Sequence, residues 1–357
     1  MSKKNALVPE IDQKYVKFGH YELLKKTIDS GLFVPVFITG DTSNGKSTMV
    51  EQVCAELGRG CIRINFNENT DEDQLMGYKT LQNGNIEIVE AGVMRALREG
   101  HVLLLDEIDA GNPNSLMCLQ PILEGKSYYF KLKNEIVTPH PNFTIVATAN
   151  TTGKGSLDGR YVGTNVLNEA FLERFSYNLN QDYPPVEVEQ SIAHYYLDFI
   201  TDEEERTEFA ESLSKWSQAI KKHRENTQEN TEVITTRRLI HICKIFSITE
   251  DITEAIKLAL NRFDETHKSA FLMLWQATQD TAQKKKELLK KQNNKESDCV
   301  LPDLSTDDDK PIGITHKELE ELNELYKETR DPKVIENYFR THLSAEAFRT
   351  NFKFDDK

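Results

Sequence analysis

One short motif restricts the fold of this chain more than any other feature of its sequence. Residues 40–47 read Gly-Asp-Thr-Ser-Asn-Gly-Lys-Ser, which matches the pattern Gly-x-x-x-x-Gly-Lys-Ser. An apolar run over 34–39 precedes the motif, and a helix-forming stretch over 46–57 follows it. A strand, a glycine-rich loop and a helix in this order place backbone N–H groups around a phosphate. The motif therefore predicts a nucleoside triphosphate site inside an α/β domain.

Each residue type in this phosphate loop has a physical role. The glycines allow backbone N–H groups to point inward, and the helix N-terminus adds the positive end of its dipole. Lys46 is expected to neutralise the β- and γ-phosphates, and Ser47 is expected to offer its hydroxyl to Mg²⁺. We expect the nucleotide to contact Gly40, Asp41, Thr42, Ser43, Asn44, Gly45, Lys46, Ser47 and Thr48.

A second apolar run, over 102–105, ends in the adjacent acids Asp106 and Glu107. In a parallel sheet, ligands bind at the carboxyl ends of the strands. Successive side chains point to opposite faces of a strand, so the two acids are expected to have different roles. Asp106 is expected to hold Mg²⁺ through its water shell, and Glu107 to orient and deprotonate an attacking water. The alternative is a solvated acidic turn.

Three further polar positions are candidates for the same chemistry. Asn150 ends a predicted strand, where its amide can hydrogen-bond a γ-phosphate and a water, or simply start a turn. Arg174 closes the α/β half and can reach a neighbour's nucleotide, or form a surface salt bridge. Arg237 and Arg238 open a helix, where a cation is poorly placed for the dipole. Either can touch a γ-phosphate, or be solvated.

Two segments of the α/β half alternate polar and apolar residues around turn signals. Residues 78–90 do so around Asn83-Gly84, and residues 128–137 around Lys133-Asn134. These patterns predict two β-hairpins inserted into the parallel sheet core.

Changes in pattern divide the chain into regions. The first half alternates apolar strands with helical stretches, which implies a parallel sheet covered on both faces. Beyond residue 185 the apolar residues follow a helical period, and from residue 284 charged residues dominate. We expect an α/β nucleotide-binding domain at 1–183, an all-α domain at 184–280, a charged helix and linker at 281–310, and a helical C-terminal extension at 311–357.

Composition argues against several classes of protein. The net charge of −14, from 44 basic and 58 acidic side chains, opposes non-specific attraction to nucleic acid or anionic lipid. The five cysteines include no Cys-x-x-Cys pair, so we expect reduced thiols and no zinc site. The longest mostly apolar run, at 32–38, is too short to cross a bilayer, and no secretory signal is visible. We expect a cytoplasmic protein without a membrane partner.

The combination resembles the AAA+ ATPases, within them the MoxR-like branch, and in particular the CobS type, the small ATPase subunit of aerobic cobaltochelatase. The resemblance runs from about residue 31 to 183. Four segments carry it: Asp-Glu-Ile-Asp-Ala-Gly-Asn-Pro at 106–113, Pro-His-Pro-Asn-Phe at 139–143, Ala-Thr-Ala-Asn-Thr at 147–151 and Gly-Thr-Asn-Val-Leu-Asn at 163–168.

This resemblance implies a role for each matching position. Lys46 and Ser47 correspond to Walker A, Asp106 and Glu107 to Walker B, Asn150 to sensor 1, Arg174 to the arginine finger and Arg237 to sensor 2. Related magnesium chelatase subunits carry a further Arg where this chain reads Asn168-Glu169-Ala170, which leaves Arg174 as the main finger candidate and Arg160 as a weaker one.

The resemblance also implies a function. It predicts a P-loop AAA+ core with an all-α lid, in a ring, expected to be a hexamer, that hydrolyses Mg-ATP to remodel a partner protein or complex. The two hairpins would line the pore and contact the client, and a protein with a von Willebrand A-type domain is the expected partner. The alternatives are the ATPase subunit of a cobalt chelatase and, against the net charge, a nucleic-acid translocase or loader.

Overall fold

The computed structural model describes residues 7–297, except residues 83, 157–159 and 228–231, and describes side chains as far as residue 281. Nine strands are formed in this part of the chain: β1 (Val36–Thr39), β2 (Cys61–Asn65), β3 (Gly77–Gln82), β4 (Asn85–Glu90), β5 (Val102–Asp106), β6 (Tyr128–Phe130), β7 (Glu135–Val137), β8 (Thr144–Thr148) and β9 (Tyr177–Asn180). The helices are α1 (Tyr21–Asp29), α2 (Lys46–Glu56), α3 (Glu72–Met76), α4 (Gly92–Glu99), α5 (Pro113–Leu116), α6 (Gln120–Leu123), α7 (Glu169–Leu172), α8 (Val186–Tyr196), α9 (Glu203–Thr227), α10 (Thr236–Thr249), α11 (Ile252–Leu260) and α12 (Glu265–Ser297).

A five-stranded parallel sheet forms the centre of the α/β half, in the order β2-β5-β8-β1-β9. Every residue of β1, β5 and β8 is buried, as expected for Val-, Ile- and Leu-rich strands covered on both faces. Because β5, β8 and β1 are neighbours, their carboxyl ends meet at one edge of the sheet. This topology brings the phosphate loop, the acidic pair and the end of β8 together.

Two hydrophobic clusters cover the two faces of this sheet. One includes Leu103, Leu105 and Ile145, which pack with α4 and the segment of short helices that follows β5. The other includes Val102, Leu104 and Val146, which pack with α1 and α2. Alternate residues of β5 therefore point to opposite clusters, which is the periodicity of a strand buried on both sides.

Both predicted hairpins are present. β3 and β4 pair antiparallel, with Gln82 opposite Asn85 across the turn, and β6 and β7 pair with Phe130 opposite Glu135. Asn134 adopts a positive φ of 52° in the second turn, a conformation that Asn tolerates better than most residues. The prediction of an α/β core with two inserted hairpins is confirmed.

Helices α8 to α11 and the start of α12 bury a separate hydrophobic cluster that includes Trp216, Leu239 and Ile256. The prediction of an all-α region after the sheet is therefore confirmed, while the exact domain boundaries remain a prediction. Helix α12 continues across residue 280, where we expected a boundary. Residues 298–357, which include the expected C-terminal extension, lie outside the described residues. Within the described part, no helix is both long and apolar enough to cross a membrane.

Candidate functional site

The phosphate loop has the backbone geometry of an anion site. Ser43 and Gly45 both adopt positive φ, at 61° and 89°, which turns successive N–H groups toward the inside of the loop. Gly45 is the N-cap of α2 and no side chain caps that helix. The first N–H groups of α2 are therefore available to a phosphate, whose charge the helix dipole favours.

Lys46 is buried at the centre of this loop, with 6% of its surface exposed. Its Nζ donates to the carbonyl oxygens of Gly40 at 2.7 Å and Asp41 at 2.8 Å, and to Asn150 Oδ1 at 3.2 Å. Burial lowers the pKa of Lys46 to about 8, and the nearby charge of Asp109 opposes that shift. The contact with Asn150 brings the predicted strand-end amide into the phosphate site.

Asp106 lies beside Ser47, as expected if both serve one magnesium ion. Its Oδ1 accepts from Ser47 Oγ at 2.5 Å and from Thr148 Oγ1 at 2.5 Å, and only 3% of the residue is exposed. A hydroxyl and a carboxylate in contact form the oxygen-only donor set that Mg²⁺ prefers. The residues present therefore fit a magnesium ion.

Glu107 differs from Asp106 in both exposure and backbone. It is exposed, and its φ of 55° and ψ of 44° place it in the left-handed region, which disfavours residues with a Cβ. Its N–H donates to Thr148 Oγ1 at 3.2 Å. The strand therefore ends in a strained turn, at which the second carboxylate is exposed whereas the first is buried.

Asp109 is a site residue that we did not predict. It is fully buried, and its Oδ2 accepts from the N–H of Asn150 at 3.1 Å, the N–H of Thr151 at 2.9 Å and the hydroxyl of Thr151 at 2.8 Å. Asp109 thus fixes the turn that carries Asn150. The available signal was the second aspartate in Asp-Glu-Ile-Asp.

Asp41 connects the loop to the helical half. It forms an ion pair with Arg224 of α9, accepts from Tyr161 Oη at 2.8 Å and lies 3.8 Å from Arg160 Nη1. Tyr183 Oη donates to the carbonyl of Thr42 at 3.1 Å. Arg160, our weaker finger candidate, therefore contacts the phosphate loop of its own chain.

Arg237 and Arg238 both line a cavity of about 690 Å³ that also borders Thr42 and Ser43 of the loop. Arg237 alone of the two also lines a smaller cavity of about 220 Å³, which borders Gly45 and Thr48. Thr235 caps the helix that presents them, because its Oγ1 accepts from the N–H of Arg238 at 3.2 Å. Both arginines are thus held beside the loop, and Arg237 lies along more of it.

Comparisons with known proteins agree with this geometry. Residues 35–175 match the family described as AAA domain (dynein-related subfamily). The aerobic cobaltochelatase subunit CobS of Sinorhizobium sp is 29% identical over 276 residues, which cover 75% of this chain and 82% of CobS. The chain is an ATPase with an AAA domain at residues 35–175.

Two further relatives of this ATPase match over a shorter length. Midasin of Dictyostelium discoideum is 33% identical over 158 residues, which cover 44% of this chain and 3% of midasin. An uncharacterized protein of Staphylococcus saprophyticus is 34% identical over 149 residues, 39% of this chain and 52% of that protein. Among solved structures, a RuvB mutant of Thermotoga maritima has a TM-score of 0.44 at 15% identity, covering 70% of this chain and 73% of that one.

Arg174 of this ATPase lies apart from the other predicted site residues. Its Nε donates to Glu124 Oε1 at 2.8 Å, and its Nη1 donates to the carbonyl of Ala170. It is not among the described residues that line the cavities beside the phosphate loop. The structure thus brings together every predicted site residue of the chain except Arg174. Arg174 instead forms a salt bridge with Glu124, which was the alternative to its reaching a neighbour's nucleotide.

Proposed function

We propose that this AAA+ ATPase is a subunit of a homo-oligomeric ring, expected to be a hexamer, that couples Mg-ATP hydrolysis to the remodelling of a partner protein or complex. One observation carries the proposal. Lys46, Ser47, Asp106 and Asn150 converge within one chain, whereas Arg174 is presented elsewhere with a carboxylate as its partner. The chain therefore holds most of a hydrolytic site, and Arg174 lies apart from it, paired with Glu124.

Each residue of the site would have one part in hydrolysis. Lys46 and the N–H groups of the loop would bind the phosphates, and Ser47 and Asp106 would hold Mg²⁺, which neutralises phosphate charge when bound. Glu107, exposed beside them, would orient a water and accept its proton. Asn150 would hold that water or the γ-phosphate, and Arg237 would contact the γ-phosphate from the helical side.

The smaller cavity is suited to the adenine base. It borders Gly45 and Thr48 and is lined by the apolar side chains of Val16, Phe18 and Ile240. Asp12, Lys14 and Arg237 also line this slot of about 220 Å³, and its apolar side chains beside the phosphate loop suit a flat heterocycle.

The two hairpins supply a surface for a protein client. Leu81 and Ile86 form a cross-strand pair near the tip of the first hairpin, with 72% and 73% of their surfaces exposed, and Ile136 on the second is 74% exposed. Exposed apolar side chains on projecting hairpins are typical of a binding surface. We further propose a cytoplasmic setting and a partner with a von Willebrand A-type domain.

The second candidate is the ATPase subunit of a cobalt chelatase, which the likeness to CobS favours. Among the described residues, no group of three or more His, Cys, Asp or Glu side chains is arranged to hold a metal ion. In this reading the chain supplies only ATP energy, and metal and tetrapyrrole are held by other subunits. Insertion of Co²⁺ by purified chelatase partners that depends on this chain would favour this candidate over general remodelling.

Two variants test the hydrolytic assignment. Lys46→Ala is expected to lose nucleotide binding, and Glu107→Gln to bind ATP while losing most turnover. The Glu107→Gln protein with ATP bound is also the reagent for isolating the partner. Turnover by Glu107→Gln at the wild-type rate would contradict the assignment of the base. ATP-dependent copurification of a single client or von Willebrand A-type protein would support remodelling.

A further inference from the structure

A guanidinium lies against the carboxylate that is expected to serve Mg²⁺. Arg63 of β2 donates from Nε at 3.0 Å and from Nη2 at 2.5 Å to Asp106 Oδ2. The parallel register places Arg63 opposite Leu104 and Asn65 opposite Asp106, so the side chain of Arg63 extends toward the carboxyl end of β5 to meet Asp106. Nothing in the phosphate-loop or acidic-pair motifs predicts this cation.

The contacts of Asp106 use its full capacity as an acceptor. Oδ1 accepts from Ser47 and Thr148, and Oδ2 accepts two N–H groups of Arg63. An ionised carboxylate has about four lone-pair positions. A water bound to Mg²⁺ therefore needs a position on Oδ2 that Arg63 occupies, and the positive charge of Arg63 opposes the metal ion as well.

Arg63 also has a second carboxylate within reach. Its Nη1 lies 3.1 Å from Glu51 Oε1 on α2, and its side chain is 41% exposed, compared with 4% for Asp106. Arg63 can therefore keep its ion pair with Glu51 after it releases Asp106. The guanidinium thus bridges a buried carboxylate at the site and a half-buried one outside it.

We propose that Arg63 is a positioning residue that sets the Mg²⁺ requirement of the site, by holding Asp106 when no metal is bound and moving toward Glu51 when the metal binds. The inference rests on the proposed Mg-ATP site. It predicts that substitutions of Arg63 and of Glu51 change the Mg²⁺ requirement in opposite directions. Removing the charge of Arg63 frees Oδ2 for the metal, whereas removing the charge of Glu51 strengthens the hold of Arg63 on Asp106.

The test is equilibrium binding of a fluorescent ATP analogue to the Glu107→Gln protein as Mg²⁺ is titrated. Arg63→Gln is expected to lower the half-saturating Mg²⁺ concentration by about fivefold, the effect of one unit charge on a divalent ion about 8 Å away at the dielectric constant of water. Glu51→Gln is expected to raise it. Arg63→Lys, which keeps the charge, is expected to stay close to the parent value. Thermal unfolding confirms that each variant is folded.

Two results distinguish a failure of the proposed role of Arg63 from a failure of the proposed Mg-ATP site. Binding of the analogue in EDTA reports on the phosphate loop without metal. Loss of binding by the parent protein both with and without Mg²⁺ would contradict the proposed site itself. A parent protein that binds the analogue, together with an unchanged or higher Mg²⁺ requirement in Arg63→Gln, would overturn only the role of Arg63.

Discussion

Arg224, near the end of α9, forms an ion pair with Asp41, the second residue of the phosphate loop. The pair crosses from the helical half to the α/β half, and both side chains are largely buried, with 17% and 23% of their surfaces exposed. Burial raises the pKa of Asp41, but Arg224, Tyr161 and Arg160 lower it further, so the net pKa is below its usual value. The predicted phosphate loop is therefore also a contact point for the helical half.

This pair is expected to couple the two halves energetically. Asp41→Asn and Arg224→Gln should each lower the midpoint of thermal unfolding by about 2 °C, and the double variant by no more than the larger single effect. The matched control is Lys215→Gln, which removes an exposed pair with Glu211 on the same helix and should change the midpoint little. Strictly additive losses in the double variant would show that the two residues do not act together.

Nucleotide affinity is expected to depend on pH through Lys46. Burial lowers the pKa of Lys46 to about 8, so in the free protein the ammonium loses its proton as the pH rises through that value. Bound phosphate favours the protonated form, so affinity is nearly full at pH 7 and falls as the pH rises through 8, by about tenfold at pH 9 relative to pH 7. Calorimetric titration at several pH values measures the slope.

Lys46→Arg provides the control for this slope, because a guanidinium keeps its proton throughout this range. Its affinity is expected to be lower than that of the parent and to change little between pH 7 and pH 9. A wild-type profile as flat as that of the Arg variant would refute a lowered pKa for Lys46.

The left-handed backbone conformation of Glu107 is expected to lower the free energy of unfolding of the protein. A Cβ in the left-handed region costs about 1 kcal/mol, so Glu107→Gly should be more stable than Glu107→Ala by about that amount, while neither variant hydrolyses ATP. Glu250 has a similar φ of 56° at the end of α10 and is the matched control. Glu250→Gly should likewise be more stable than Glu250→Ala, and both variants should still hydrolyse ATP. Equal stability of the two variants at 107 would exclude backbone strain.

The strands and motifs that frame the site could be predicted because their signals are local. Runs of Val, Ile and Leu identify β1, β5 and β8, and the acids at the end of β5 follow directly from its sequence. Strand β9 was missed because Tyr-Asn-Leu-Asn lies at the sheet edge and buries only Leu179. Helix α1 was missed as well.

The residues that complete the site could not be found in this way, because their partners are distant in sequence. Asp109 acts on Asn150, 41 residues later, and Arg63 acts on Asp106, 43 residues later. Within its own strand Arg63 is simply a charged side chain on an exposed face. Arg224 is separated from Asp41 by 183 residues. Only the packing of the sheet and the helical half reveals these contacts.

The central claim is that one chain supplies most of the site and the next supplies Arg174. Mixing two inactive proteins, Glu107→Gln and Arg174→Ala, tests it directly, because an Arg174→Ala subunit retains Glu107 and can receive Arg174 from a Glu107→Gln neighbour. With random assembly at equal amounts, about a quarter of the interfaces would be complete, and ATP hydrolysis should recover accordingly. Recovery of activity on mixing is the predicted result. A mixture as inactive as its components, although size-exclusion chromatography shows mixed rings, would contradict the claim.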